Sequence, residues 1–236
     1  MRERVRRFRH LVRWQLMEIA HQRVPWLLSG VALAMALSGG VLRLFHFGAD
    51  EARFHAGVAL AGLWTTGTLL AALLAPMLIG PRGESRLAQC LFARGVGRGE
   101  WIGAVFASLA AVQGWLLLLT GAALATTLGR HGHAPALAEL SGQAGGLLVL
   151  NAAAVLFAAI FQRTIPATTA TLGFGLAMQL EPLFGRMAAS SRGAEAFFWQ
   201  GLDLLVPGGA ITTLGAVGYL LVYLGMATVI HAQREI

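Results

Sequence analysis

The sequence contains no lysine and a single cysteine, Cys90. Without lysine it cannot hold a P-loop, whose lysine contacts the β- and γ-phosphates of a bound nucleotide. If ATP powers this protein, another subunit hydrolyses it. One cysteine excludes an internal disulfide framework and a cysteine-rich metal site. Charge is also scarce: 12% of residues are charged, against about 25% in soluble globular proteins. No cleavable signal peptide is expected, because the N-terminus stays basic for too long and no small-residue cleavage pattern follows a short apolar core.

What is abundant is apolar surface. Hydrophobic residues make up 56% and mean hydropathy is +0.66. Thirty glycines lie mostly within the apolar runs, as in membrane helices that approach one another closely. The chain reads as an all-α membrane protein with one transmembrane domain, 1–236. Its formal charge of +7 could point to nucleic acid, but the arginines cluster beside apolar runs, as topology signals do. No nucleic-acid partner is expected.

Residues 1–23 form the first element. Val5, Phe8, Val12, Leu16 and Ile19 recur at helical steps, and Arg2, Arg6, Arg9 and Arg13 recur on a neighbouring face. This pattern predicts an amphipathic helix lying in a membrane surface, arginines toward lipid phosphates. Six intervals free of Asp, Glu and Arg follow, predicting six spans over 24–42, 56–79, 101–128, 142–162, 165–181 and 210–231. A span needs about 20 apolar residues, and the fifth is the shortest candidate. With the N-terminus inside, thirteen arginines face the cytoplasm and five the other side. The positive-inside rule then places both termini in the cytoplasm of a plasma (inner) membrane. Leu44–Arg53 and Arg130–Glu139 read as short external connectors. Glu181–Asp203 reads as a longer loop with a short helix at the outer leaflet.

Candidate sites are few. His131-Gly132-His133 could contribute metal ligands, but zinc takes three or four and no third lies near, so a polar turn is the better reading. His10, His21, His46, His55 and His231 fall near expected membrane boundaries and receive no catalytic role. No ionisable group lies well inside a span, which weighs against an ion-coupled carrier. Mild polarity remains: Thr65, Thr66, Asn151, Thr168, Thr169 and Gln179 are candidates to line a pathway. Interhelical hydrogen bonding is the ordinary alternative for each. Thr168, Thr169, Thr171 and Gln179 are expected to face protein.

The most informative stretch is the charged, glycine-punctuated segment 80–100 between the second and third spans. Glu84-Ser85-Arg86, then Gln89-Cys90-Leu91-Phe92, then Gly95-Val96-Gly97-Arg98 and Glu100-Trp101-Ile102-Gly103 appear in order. This resembles the cytoplasmic segment of ATP-binding-cassette type-2 exporter permeases: an acidic-basic opening, a leucine-rich short helix, a turn, and a Glu-aromatic start to the third span. It departs from them at Gln89, Gly95, Gly97 and Ala104. The amphipathic N-terminal helix, the six spans and the segment before the last one are similar to that family's layout. The resemblance implies a transmembrane permease subunit with an elbow helix and a coupling helix. It implies ATPase docking through Glu84, Arg86, Leu87, Leu91, Phe92, Arg94 and Arg98. It further implies a homodimer or heterodimer with a related permease, an ABC ATPase partner that holds ATP and Mg, and no cofactor or enzymatic activity in this chain. A non-conducting anchor or assembly subunit of an ATPase-driven complex is the alternative.

Overall fold

The computed structural model describes residues 2–42, 51–79, 95–127, 129–161, 163–190 and 213–233. Seven helices and no strand lie among the described residues. They are α1 Arg2–His21, α2 Arg23–Leu42, α3 Glu51–Ile79, α4 Arg98–Thr127, α5 Gly129–Ile160, α6 Thr164–Ser190 and α7 Thr213–Gln233. Four contain stretches long and apolar enough to cross a membrane: Phe54–Ile79, Arg98–Thr127, Leu140–Ile160 and Gly215–Gln233. The apolar stretch of α2, Arg23–Ser38, is shorter. The remaining expected span falls on α6, where threonine and glutamine dilute the apolar run.

Two expected loops are corrected. Arg130–Glu139 is no connector, because α5 already begins at Gly129. Its alanines favour continuing the helix back from the core. The expected loop Glu181–Asp203 is helical at its start, because α6 runs through to Ser190; its remainder lies outside the described residues.

Three helices form the centre. α3, α4 and α5 pack pairwise on one another, and each groove between two of them seats an outer helix. α2 lies on α3 and α4, α6 on α3 and α5, and α7 on α4 and α5. Lipid supplies no hydrophobic drive between helices, so such packing rests on close contact at small residues. Gly62 faces Met35, and Gly175 faces Thr68 so closely that an added Cβ would come within 2.5 Å of its methyl group. The interior is filled by Leu63, Leu70, Leu74, Leu109, Leu116, Leu147 and Leu150, all at or near zero exposure. Phe174 meets Phe157 and Tyr223 edge-on, closing the seam between α6 and α7 over α5. By contrast α7 leaves Val217, Leu221, Val222, Met226 and Val229 exposed, the outward apolar face expected of a helix against lipid.

α1 packs on the first half of α4. Its buried line is Leu11, Gln15 and Ile19, with Phe8 and Val12 half-buried beside it, whereas Val5 is 62% exposed. The inward face is therefore rotated from the expected one, because the polar Gln15 lies at its centre. There Gln15 Oε1 accepts a hydrogen bond from Ser108 Oγ at 3.0 Å. The chain turns at Gln22, whose N–H donates to Ile19 O. Pro25 follows in the first turn of α2, where a missing N–H is harmless.

Candidate functional site

Two clusters gather the polar residues that the sequence singled out. The first is where α1, α4 and α7 converge. Gly95 has φ of 79°, a left-handed conformation that glycine adopts without strain. Gly97 N–H then donates to Glu100 Oε2 at 3.3 Å, half of a capping box at the start of α4. Arg98 Nη1 donates to His231 O at 2.9 Å and Ala232 O at 2.7 Å. Those carbonyls belong to the last turn of α7, where the helix dipole favours a cation. Gly99 sits on Thr228 and Gly103 on Phe8, and the Trp14 and Trp101 rings lie 6.1 Å apart. At 1.5 Å per residue, Arg98 lies about 15 Å nearer the start of α4 than Ser108, which α1 contacts through Gln15. Arg98, expected on the docking surface, thus has partners within the chain. Glu84, Arg86, Leu87, Leu91, Phe92 and Arg94 lie outside the described residues.

The second cluster sits on the axis of the three central helices, near the middle of each candidate span. Gln113 of α4 donates from Nε2 to Gly67 O of α3 at 2.8 Å and to Asn151 Oδ1 of α5 at 3.4 Å. Gly67 leaves room for this contact: an added Cβ would lie 2.8 Å from both Gln113 Oε1 and Leu147 Cδ2, so both side-chain ends would have to shift. Gln113 Oε1, Asn151 Nδ2, Thr68 Oγ1 and Thr120 Oγ1 are buried and make no hydrogen bond among the described residues. Such groups lose solvation without full return. The groups are neutral amides and hydroxyls, able to lock helices or hold a polar ligand.

The candidate pathway residues divide. Thr66 and Asn151 are buried in the centre, and Thr66 Oγ1 bonds back to Gly62 O and Leu63 O of its own helix. Thr65, Thr169 and Gln179 are exposed on the outer surfaces of α3 and α6. Of the four α6 residues expected to face protein, Thr171 is buried and Thr168 half-buried, while the other two face outward. Thr168 Oγ1 donates to Ala72 O at 2.9 Å. Sequence reasoning missed the Gln15–Ser108 pair, whose signal was a glutamine inside an apolar helical row. It also missed His55, which is 2% exposed with Nε2 placed 2.9 Å from Ala36 O. Comparison of the chain with protein-family models and with curated proteins finds no match.

Proposed function

We propose that the chain is the permease subunit of an ATP-driven exporter of the ATP-binding-cassette type-2 class, with ATP hydrolysed by a separate partner. In this reading α2 and α6 complete six spans and both termini lie in the cytoplasm. The segment 80–97 meets the ATPase, and two copies, or this chain and a relative, form the transporter. The observation that carries the reading is the junction at the start of α4. Glu100, Arg98, Gly99, Trp101 and Gly103 tie that start to its own cap, to α7 and to α1. A force applied to the chain before Gly95 therefore reaches three helices at once, as a coupling segment requires. The resemblance over 80–104 and the missing P-loop lysine point the same way.

The filled centre bears on where cargo would pass. No route runs between α3, α4 and α5 without parting the leucines and the Gln113 bonds, so Thr66 and Asn151 act as structural residues. A path lies on the outer faces, where Thr65, Thr169 and Gln179 are exposed. The same filled centre favours the second reading, a non-conducting anchor that binds the ATPase without transporting.

The test is co-expression with an ATP-binding-cassette ATPase encoded beside the chain, followed by affinity purification from membranes. Stoichiometric co-purification is expected, and Leu91→Asp with Arg94→Glu should abolish it. Arg98 is left intact in this variant because its loss would also disturb α7. Retained association would refute the docking assignment. ATP-dependent uptake into inverted vesicles separates exporter from anchor.

A further inference from the structure

We propose that the outward side of α1 is a binding surface for anionic lipid headgroups, with Arg6, Arg9 and Arg13 as its phosphate contacts. An amphipathic helix on a membrane ordinarily buries its apolar side among the acyl chains. Here that side is already occupied: Leu11, Gln15 and Ile19 are buried, and Phe8 packs on Gly103 of α4. At 3.6 residues per turn, the three arginines fall within about 60° of one another, roughly 150° away from that buried line. All three are exposed. Arg7 is paired with Glu3 at 3.4 Å, whereas Arg6, Arg9 and Arg13 form no ion pair among the described residues.

The surroundings of the row select lipid over an acidic protein. It is flanked on one side by Val5, 62% exposed, and on the other by Met17 and Trp14, 50% and 38% exposed. Beyond the turn at Gln22, Trp26 is 60% exposed. Exposed apolar and indole side chains bordering guanidinium groups match the headgroup region, where tryptophan and arginine both concentrate. α1 also meets α4 at Trp101 and Gly103, near the start of a candidate span rather than beyond it. The helix is held in place by protein and meets the membrane through charge. Its contribution is lipid selectivity, and the apolar anchoring belongs to the spans. This inference does not depend on the permease reading.

The experiment uses the full chain in phosphatidylcholine vesicles with trace spin-labelled phosphatidylglycerol or phosphatidylcholine, measuring the motionally restricted fraction of each label. Wild type should retain phosphatidylglycerol preferentially, and the preference should shrink as salt is raised. Each basic residue near an anionic surface strengthens attraction by about five-fold. The triple variant Arg6→Gln, Arg9→Gln, Arg13→Gln removes three such contacts and should therefore bring the retention of phosphatidylglycerol down to that of phosphatidylcholine. The matching triple arginine-to-lysine variant should keep most of the selectivity, since charge carries the contact. Circular dichroism establishes that each variant is helical. Equal retention of both labels by wild type, or unchanged selectivity in the glutamine variant, overturns the proposal and leaves the row to an acidic protein partner.

Discussion

Pro76 lies inside α3, where proline lacks the N–H that would bond the carbonyl of residue 72. That carbonyl, of fully buried Ala72, accepts the hydroxyl of Thr168 from α6 at 2.9 Å instead. Thr168→Val keeps the shape and removes the donor. An average interhelical hydrogen bond in a membrane contributes about 0.6 kcal/mol, while a stranded buried carbonyl costs about 1–3 kcal/mol. The proline decides between these values, because it takes away the carbonyl's regular donor within its own helix. Thr168→Val should destabilise the chain by about 1.5–2 kcal/mol. In a Pro76→Ala background the helix regains its own N–H, and the same change should cost about 0.5 kcal/mol. The assay is reversible unfolding of the full chain in mixed micelles for wild type, both single variants and the double. A coupling of about 1 kcal/mol or more is expected. An equal loss in both backgrounds would show that Thr168 does not compensate for the proline.

Other contacts yield shorter tests in the same assay. Gly67→Ala should lose about 1–3 kcal/mol as the new Cβ displaces Gln113 and Leu147. Gly57→Ala, with open space at its Cβ position, should be neutral or gain up to about 1 kcal/mol from helix propensity. Ser108→Ala should cost about 1–2 kcal/mol by leaving Gln15 Oε1 unpaired in a buried site, and adding Gln15→Leu should recover most of that. Arg98→Gln removes a partly exposed bond, so global stability should fall by only about 1 kcal/mol. Amide hydrogen exchange should nonetheless accelerate in the last turn of α7; unchanged exchange there would remove Arg98 from the junction.

Much of the helical layout was legible because a run without charge can hardly be anything but a helix when it exceeds the thickness of a bilayer. The limits of α5 and α6 were not, because Arg130–Glu139 and the stretch after Leu180 carry polar residues that a helix extending beyond lipid tolerates. The face of α1 was misjudged by part of a turn. The expected apolar row passed over Gln15 because it is polar, although it lies between Leu11 and Ile19 by spacing, and its bond to Ser108, 93 positions away in the sequence, satisfies it facing inward. Thr168 looked like a pathway residue for the same kind of reason: its partner is a carbonyl freed by Pro76, and neither residue alone announces the pairing. Arg98 looked like one of a charged set until α7 placed two carbonyls beside it.

These long-range pairs share a feature that bears on mechanism. Thr168 with Ala72, Gln113 with Gly67, Ser108 with Gln15 and Arg98 with α7 each join two helices through a backbone or neutral partner. Breaking one in the low-dielectric interior costs more than it would in water, because no solvent replaces the lost partner. The three interior pairs, with the Gln113–Asn151 bond, therefore hold α1, α3, α4, α5 and α6 together as one body, while the Arg98 contact lies near the surface, where water can take its place. Under the permease reading, motion that begins before Gly95 should first shift the α4 start against α7, with the central helices moving as a unit. Access to cargo would then change at the outer faces of that unit, against a second copy. A lone copy would anchor an ATPase and conduct nothing.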